Sequence, residues 1–309
     1  MVPAMAVSPE SGSVTEGTIP FHGSHSWYRV IGRGEGPGKL PVLCLHGGPG
    51  ASWDYLEPLE GLARGRRVVF YDQIGSGNSP FQPVHDPSMW SVELFVEEVQ
   101  AVRDALGLGQ VHLLGQSWGG MLAMAYALTE PPGLRSLILE SSPASIPGWL
   151  TELDRLRSEL PREVEEGLRA HEAAGTTESP RYQELMEMFY RRHVCRLDPW
   201  PEPLVRTFAK LEANPEVYRT MNGPSEFHVI GVIRDFDITD SLGAIRVPTL
   251  LMSGRYDEVT PATVEVVQRG IPGSRWVVFD RSSHTCHLEE TDAVLATASS
   301  FLEQIEGEG

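Results

Sequence analysis

"VHLLGQSWGGMLAMAYAL", residues 111–128, runs from β-branched and aliphatic residues through a Gly-x-Ser-x-Gly core into a run of good helix formers. The first part suits a strand covered on both faces and the last part a buried helix, so the glycines and Ser117 fall on the turn between them. A serine on such a turn either punctuates the chain or attacks something. A sharp strand-to-helix turn that exposes a serine hydroxyl needs a strained backbone at the serine and small neighbours, so that strand and helix can crowd together. Gly115 and Gly119 stand two residues to either side of Ser117 and meet that need.

Similar short apolar runs recur along the chain, at 40–45, 66–71, 134–141, 247–252 and 275–279. Helical patterns separate them. In "SVELFVEEVQAVRDALGLG" the residues Phe95, Val99, Val102 and Leu106 repeat at helical spacing, and Gly107 is placed to end the helix. Alternating strands and helices predict an α/β fold with a mostly parallel central sheet, preceded over residues 12–33 by one or two antiparallel edge strands. Residues 145–238 break the alternation with charged helical periodicity and no credible central strand. They read as a helical cap inserted between a first core part, 1–144, and a second, 239–309.

The remaining chemistry lies at the ends of the predicted strands. "HGGPG", His46 to Gly50, follows the 40–45 run, and successive glycines allow backbone N–H groups to face an anionic tetrahedral intermediate. With Ser117 as nucleophile, the N–H groups of Gly48 and Trp118 are the expected oxyanion donors. Asp257 follows the 247–252 strand and His284 the 275–279 strand, so both loops open at the sheet edge that carries Ser117. Asp257 would orient His284, and His284 would take the serine proton. Histidines 46, 85, 112, 193, 228 and 287 compete. His112 sits inside a strand, His46 is expected to shape the glycine loop, and His287 is the serious rival. Asp280 and Asp235 rank below Asp257.

Other motifs point elsewhere only weakly. "DQIGSGNS" lacks the third glycine of a dinucleotide fingerprint, and Asp72 within it is expected to hold backbone N–H groups. "HTCH" has no second ligand pair nearby. No cofactor and no metal are expected. A net charge of −17 argues against nucleic acid or an anionic membrane as partner and suits a cationic substrate. Three scattered cysteines, no apolar run long enough to span a bilayer, and an N-terminal stretch that reads as a loose tail point to a cytoplasmic location.

Taken together, "HGGPG", "DQIGSGNS", "GQSWGG", "GRYDEVTP" and the final "SSH" resemble the proline iminopeptidase family of α/β-hydrolases, whose near-relatives act as broader aminopeptidases or amino-acid amidases. The resemblance spans about residues 18–305. It implies an α/β-hydrolase fold with the triad Ser117, Asp257 and His284 and the oxyanion donors Gly48 and Trp118. It also implies that Glu226, in "MNGPSEF", and Glu258 hold the free α-ammonium of a substrate. The expected partner is therefore a small peptide or aminoacyl amide with a free N-terminus, and the expected activity is release of an N-terminal proline or small apolar residue. An amidase or biosynthetic hydrolase acting on a non-peptide amine, a general esterase, and a ligand-binding scaffold remain open; the scaffold's mark would be a missing triad member, and none is missing.

Overall fold

A computed structural model of the chain describes residues 13–79 and 87–307. The N-terminal tail up to residue 12 and His85 lie outside the described residues.

Eight strands form one sheet in the order β1-β2-β4-β3-β5-β6-β7-β8. Strands β1 (Val14–Phe21) and β2 (Ser24–Ile31) make the expected antiparallel hairpin at one edge. Its two-residue turn, His22 and Gly23, takes φ of 44° and 77°, the paired left-handed geometry that matches strand twist. From β4 (Val68–Tyr71) through β3 (Val42–Leu45), β5 (Val111–Gln116), β6 (Leu134–Glu140) and β7 (Thr249–Gly254) to β8 (Arg275–Phe279), every pairing is parallel.

The continuous apolar runs are explained by what they touch. Alternate residues of β3 and β4 serve opposite cores: Leu43, Leu45, Val69 and Tyr71 face one, and Val42, Cys44, Val68 and Phe70 face the other. The first core is closed by α1 (Val92–Ala105) and α2 (Trp118–Ala127) through Phe95, Val99 and Leu122. The second is closed by a 3-10 segment, Trp53–Leu62, and by the C-terminal helix, through Leu56, Leu59 and Leu302. Helix α1 starts where Ser91 caps the Leu94 N–H and stops before Gly107 at φ 62°.

Between β6 and β7 the chain leaves the sheet and forms five helices: α3 (Ile146–Ser158), α4 (Arg162–Ala174), α5 (Pro180–His193), α6 (Glu202–Ala213) and α7 (Glu216–Met221). "MNGPSEF" starts on the last residue of α7 and continues as loop, and short 3-10 turns, Val232–Asp235 and Thr239–Ala244, lead back to β7. After β7 and β8 come α8 (Pro261–Gly270), the single turn α9 (Cys286–Glu289) and α10 (Thr291–Gly307).

The strand order fixes where a site can form. The chain moves from β3 outward to β4, then returns past β3 to β5, so the loops after β3 and β5 diverge at a crevice between neighbouring strands. Those are the loops that carry His46–Gly50 and Ser117.

Candidate active site

Ser117 sits at φ 56°, ψ −124°, a left-handed backbone that a non-glycine residue adopts only under constraint. Crowding supplies the constraint. A Cβ on Gly119 would lie 2.0 Å from the Leu45 carbonyl oxygen, and one on Gly115 would lie 2.2 Å from the Gly119 carbonyl oxygen. The two glycines thus let α2 leave β5 at once, hard against β3, and push Ser117 out at the strand end.

Three loops meet there. His284, after β8, donates from Nδ1 to Asp257 Oδ1 at 2.8 Å, and the same oxygen accepts the Val259 N–H at 2.8 Å. Ser117, His284, Gly47, Gly48 and Glu258 all line one pocket. Among the described residues the Ser117 hydroxyl makes no hydrogen bond, and such contacts commonly tighten only when substrate arrives. Trp118 is the first residue of α2, so its N–H has no acceptor within the helix, and Gly48 turns at φ 114°. The Trp118 amide is therefore open to an acceptor outside the helix, and Gly48 lines the pocket that Ser117 faces.

The competing groups are otherwise engaged. His287 is fully buried with Nδ1 2.7 Å from Glu140 Oε1 and Nε2 2.9 Å from the Tyr55 carbonyl oxygen, so both nitrogens are taken up by buried partners away from Ser117. His46 accepts the Gln73 N–H at Nε2, 3.0 Å, and donates from Nδ1 to the Gly47 oxygen; burial lowers its pKa to about 4, so it shapes the glycine loop as a neutral ring. His112 bonds Ser136 inside the sheet, and His193 bonds the Tyr256 carbonyl. Asp280 pairs with Arg255 and Asp235 with Arg234, both at the surface. Asp72 accepts N–H groups from Trp53 and Asn78, as its position in the sequence implied. In "HTCH" the three side chains diverge, the Cys286 thiol donating to the Ser283 carbonyl.

Glu226 and Glu258 line the same pocket, one from the cap and one from the loop after β7. Tyr218 donates to Glu226 Oε1 at 2.6 Å. Leu204, Phe208 and Leu211 of α6, with Tyr190 and Val194 at the end of α5, make the opposing wall apolar.

Residues 41–291 match the family described as alpha/beta hydrolase fold. A proline iminopeptidase from Heyndrickxia coagulans is 40% identical over 291 residues, covering 94% of this chain and 99% of its own. The crystal structure of a Mycobacterium smegmatis proline iminopeptidase superposes with a TM-score of 0.88 at 42% identity, covering 94% of this chain and 99% of that one. The crystal structure of VinJ does so at 0.90 and 45%, with the same coverage. This chain belongs to the proline iminopeptidase family.

Several groups whose linking role the sequence does not mark hold the parts together. Tyr55, from the 3-10 segment, accepts the Gly47 N–H at 2.7 Å and donates to Gln116 Oε1 at 2.6 Å. Gln116 in turn donates to the His284 carbonyl at 3.0 Å, so one chain of bonds joins the glycine loop, the elbow and the histidine loop. The His193 carbonyl, at the end of α5, accepts the backbone N–H groups of both Glu258 and His284, which ties the cap to the acid and base loops. Gln116 lay inside the quoted motif; for Tyr55 and His193 nothing local in the sequence marks the role.

The electrostatics of the pocket are set by carboxylates. His284, Asp257 and Glu258 are 6%, 1% and 1% exposed. Burial disfavours a charged imidazole, yet Asp257, Glu258 and Glu226 outweigh it and raise the His284 pKa to about 9. Burial likewise pushes the Glu226 and Glu258 carboxyls above the usual range, against the Tyr218 hydrogen bond in the first and the attraction of His284 in the second.

Proposed function

We propose that the protein is a serine exopeptidase that releases an N-terminal proline or small apolar residue from peptides. The observation that carries this reading is the meeting, in one pocket, of an elbow serine with two carboxylates from different parts of the chain, the half-buried Glu226 and the buried Glu258. Ser117 attacks the carbonyl of the first residue, and the oxyanion forms against the Gly48 and Trp118 N–H groups. His284, oriented by Asp257, takes the serine proton and delivers it to the leaving amine. Water then enters, and the same imidazole activates it to release the acyl group. The side chain of the first residue lies against Leu204, Phe208 and Leu211, and the α-ammonium faces the glutamates, so that a substrate without a free N-terminal charge loses that contact. The names of the relatives support proline as first residue. Three buried, unpaired cysteines favour a reducing, cytoplasmic setting.

The test compares prolyl and alanyl p-nitroanilides with their N-acetyl forms. Acetylation removes the charge that pairs with the carboxylates, and losing a buried charge partner costs about 3 kcal/mol, so kcat/KM should fall by about 10²-fold or more. Glu226→Gln should erase most of that discrimination. Equal rates on free and acetylated substrates would replace this reading with a general esterase. Extending the panel to aminoacyl amides and non-peptide amines ranks the amidase activity.

A further inference from the structure

Glu258 stands where a catalytic triad has no need of a carboxylate. The atom that must receive the Ser117 proton is His284 Nε2, and Glu258 Oε1 lies 3.6 Å from it, while Nδ1 is held by Asp257. The imidazole therefore has a carboxylate at each edge. The second oxygen of Glu258, Oε2, is buried and has no hydrogen-bond partner among the described residues. From the cap, Glu226, Tyr218 and Tyr190 also face this corner, with His193 behind; from the histidine's own loop come Cys286 and Glu289. Among the described residues that line the pocket there is no lysine or arginine. His193 supplies no countercharge, because burial lowers its pKa.

Three carboxylates around one imidazole, with no lysine or arginine among the described residues of the pocket, favour a proton on Nε2 near neutrality. While it sits there, the lone pair meant for the serine proton is occupied.

We propose that Glu258 keeps the resting His284 loaded with this proton, and that the substrate's α-ammonium, by pairing with Glu258 and Glu226, expels it to solvent and frees Nε2 for Ser117. Glu258 is thus a specificity residue acting on the base itself: the N-terminal charge is read in turnover as well as in binding. The inference rests on the two glutamates being the ammonium site of the function proposed above.

The sign of the pH dependence follows. His284 works as a base only when unprotonated, and with its pKa raised to about 9 that form is the minor one at pH 7. A neutral ester such as p-nitrophenyl acetate brings no cation, so its hydrolysis by the wild type should keep rising from pH 7 to 9. The kcat for prolyl p-nitroanilide should level off at lower pH. Glu258→Gln removes one of the carboxylates that hold the proton, so ester kcat/KM at pH 7 should increase about tenfold, the effect of lowering the base by about one pH unit, while aminopeptidase activity falls. Ester hydrolysis that is unchanged or reduced in Glu258→Gln would overturn the proposal.

A second measurement needs no variant. Prolinol and alaninol carry the ammonium but no scissile carbonyl, and titration calorimetry of the wild-type enzyme at pH 7.5, in buffers of different ionisation enthalpy, counts the protons that move on binding. Release of about one proton supports the proposal. Binding with no proton release overturns it and leaves the ammonium site intact; no binding of either amino alcohol overturns both.

Discussion

Ser117→Ala should lower kcat on prolyl p-nitroanilide by about 10⁵-fold or more, with the fold intact. Removing the attacking atom of a triad that works as a unit costs nearly as much as removing the whole triad, because the imidazole and its carboxylate have nothing left to activate. What remains is the modest acceleration that the oxyanion donors and substrate binding supply by themselves. The fold survives because the left-handed turn at φ 56° is imposed by the crowding of Gly115 and Gly119 against neighbouring backbone, not by the serine hydroxyl, which makes no hydrogen bond among the described residues. A fluorophosphonate probe should label the wild type at Ser117 and leave the variant unlabelled. Undiminished turnover by a purified, folded Ser117→Ala enzyme would remove the serine from the chemistry.

His284→Ala and His287→Ala should separate function from stability, although the two residues are three positions apart. Loss of His284 removes the group that takes the serine proton and should cost kcat about 10⁴-fold. Loss of the His287 imidazole removes the side-chain partner of Glu140, both members being fully buried, and breaking such a pair by deleting one side costs about 3 kcal/mol because the Glu140 carboxylate keeps only the residue-287 backbone N–H. His287→Ala should therefore melt several degrees lower while the folded fraction retains activity within about tenfold. Kinetics and thermal denaturation of the two variants check this together. The opposite ranking in kcat would move the base to His287.

The sheet and the elbow were legible because they are local. A strand buried on both faces reads as a near-continuous apolar run, as β3 and β4 do and as β5 and β7 do over their middle residues, and a helix leaving a strand against its neighbour must be glycine at the points of contact. Asp257 and His284 were legible because parallel strands end at one edge, so residues 27 apart in sequence arrive side by side. What composition and spacing did not disclose depends on contacts between remote segments. Glu226 reaches the pocket only because α5 to α7 fold back over the strand ends, and its sequence setting, a polar loop after a short helix, is that of an ordinary surface residue. It entered through the family resemblance, as did the role of Glu258. Tyr55 and the His193 carbonyl are further cases: a tyrosine in a 3-10 segment and a backbone oxygen at a helix end carry no pattern, and their value arises from the loops they join. The opposed fates of His284 and His287 were likewise decided by partners, Asp257 for one and Glu140 for the other, that lie 27 and 147 residues away.

The central claim is that this serine hydrolase counts one residue from a free N-terminus. The most direct measurement follows by mass spectrometry the digestion of a pentapeptide that begins with proline and carries a second proline in its interior, beside its N-acetyl twin. The account predicts loss of the first proline alone from the free peptide, an uncut bond at the interior proline, and an intact acetylated peptide over the same time. Cleavage at the interior proline, or release of acetylproline from the twin at a comparable rate, would contradict it.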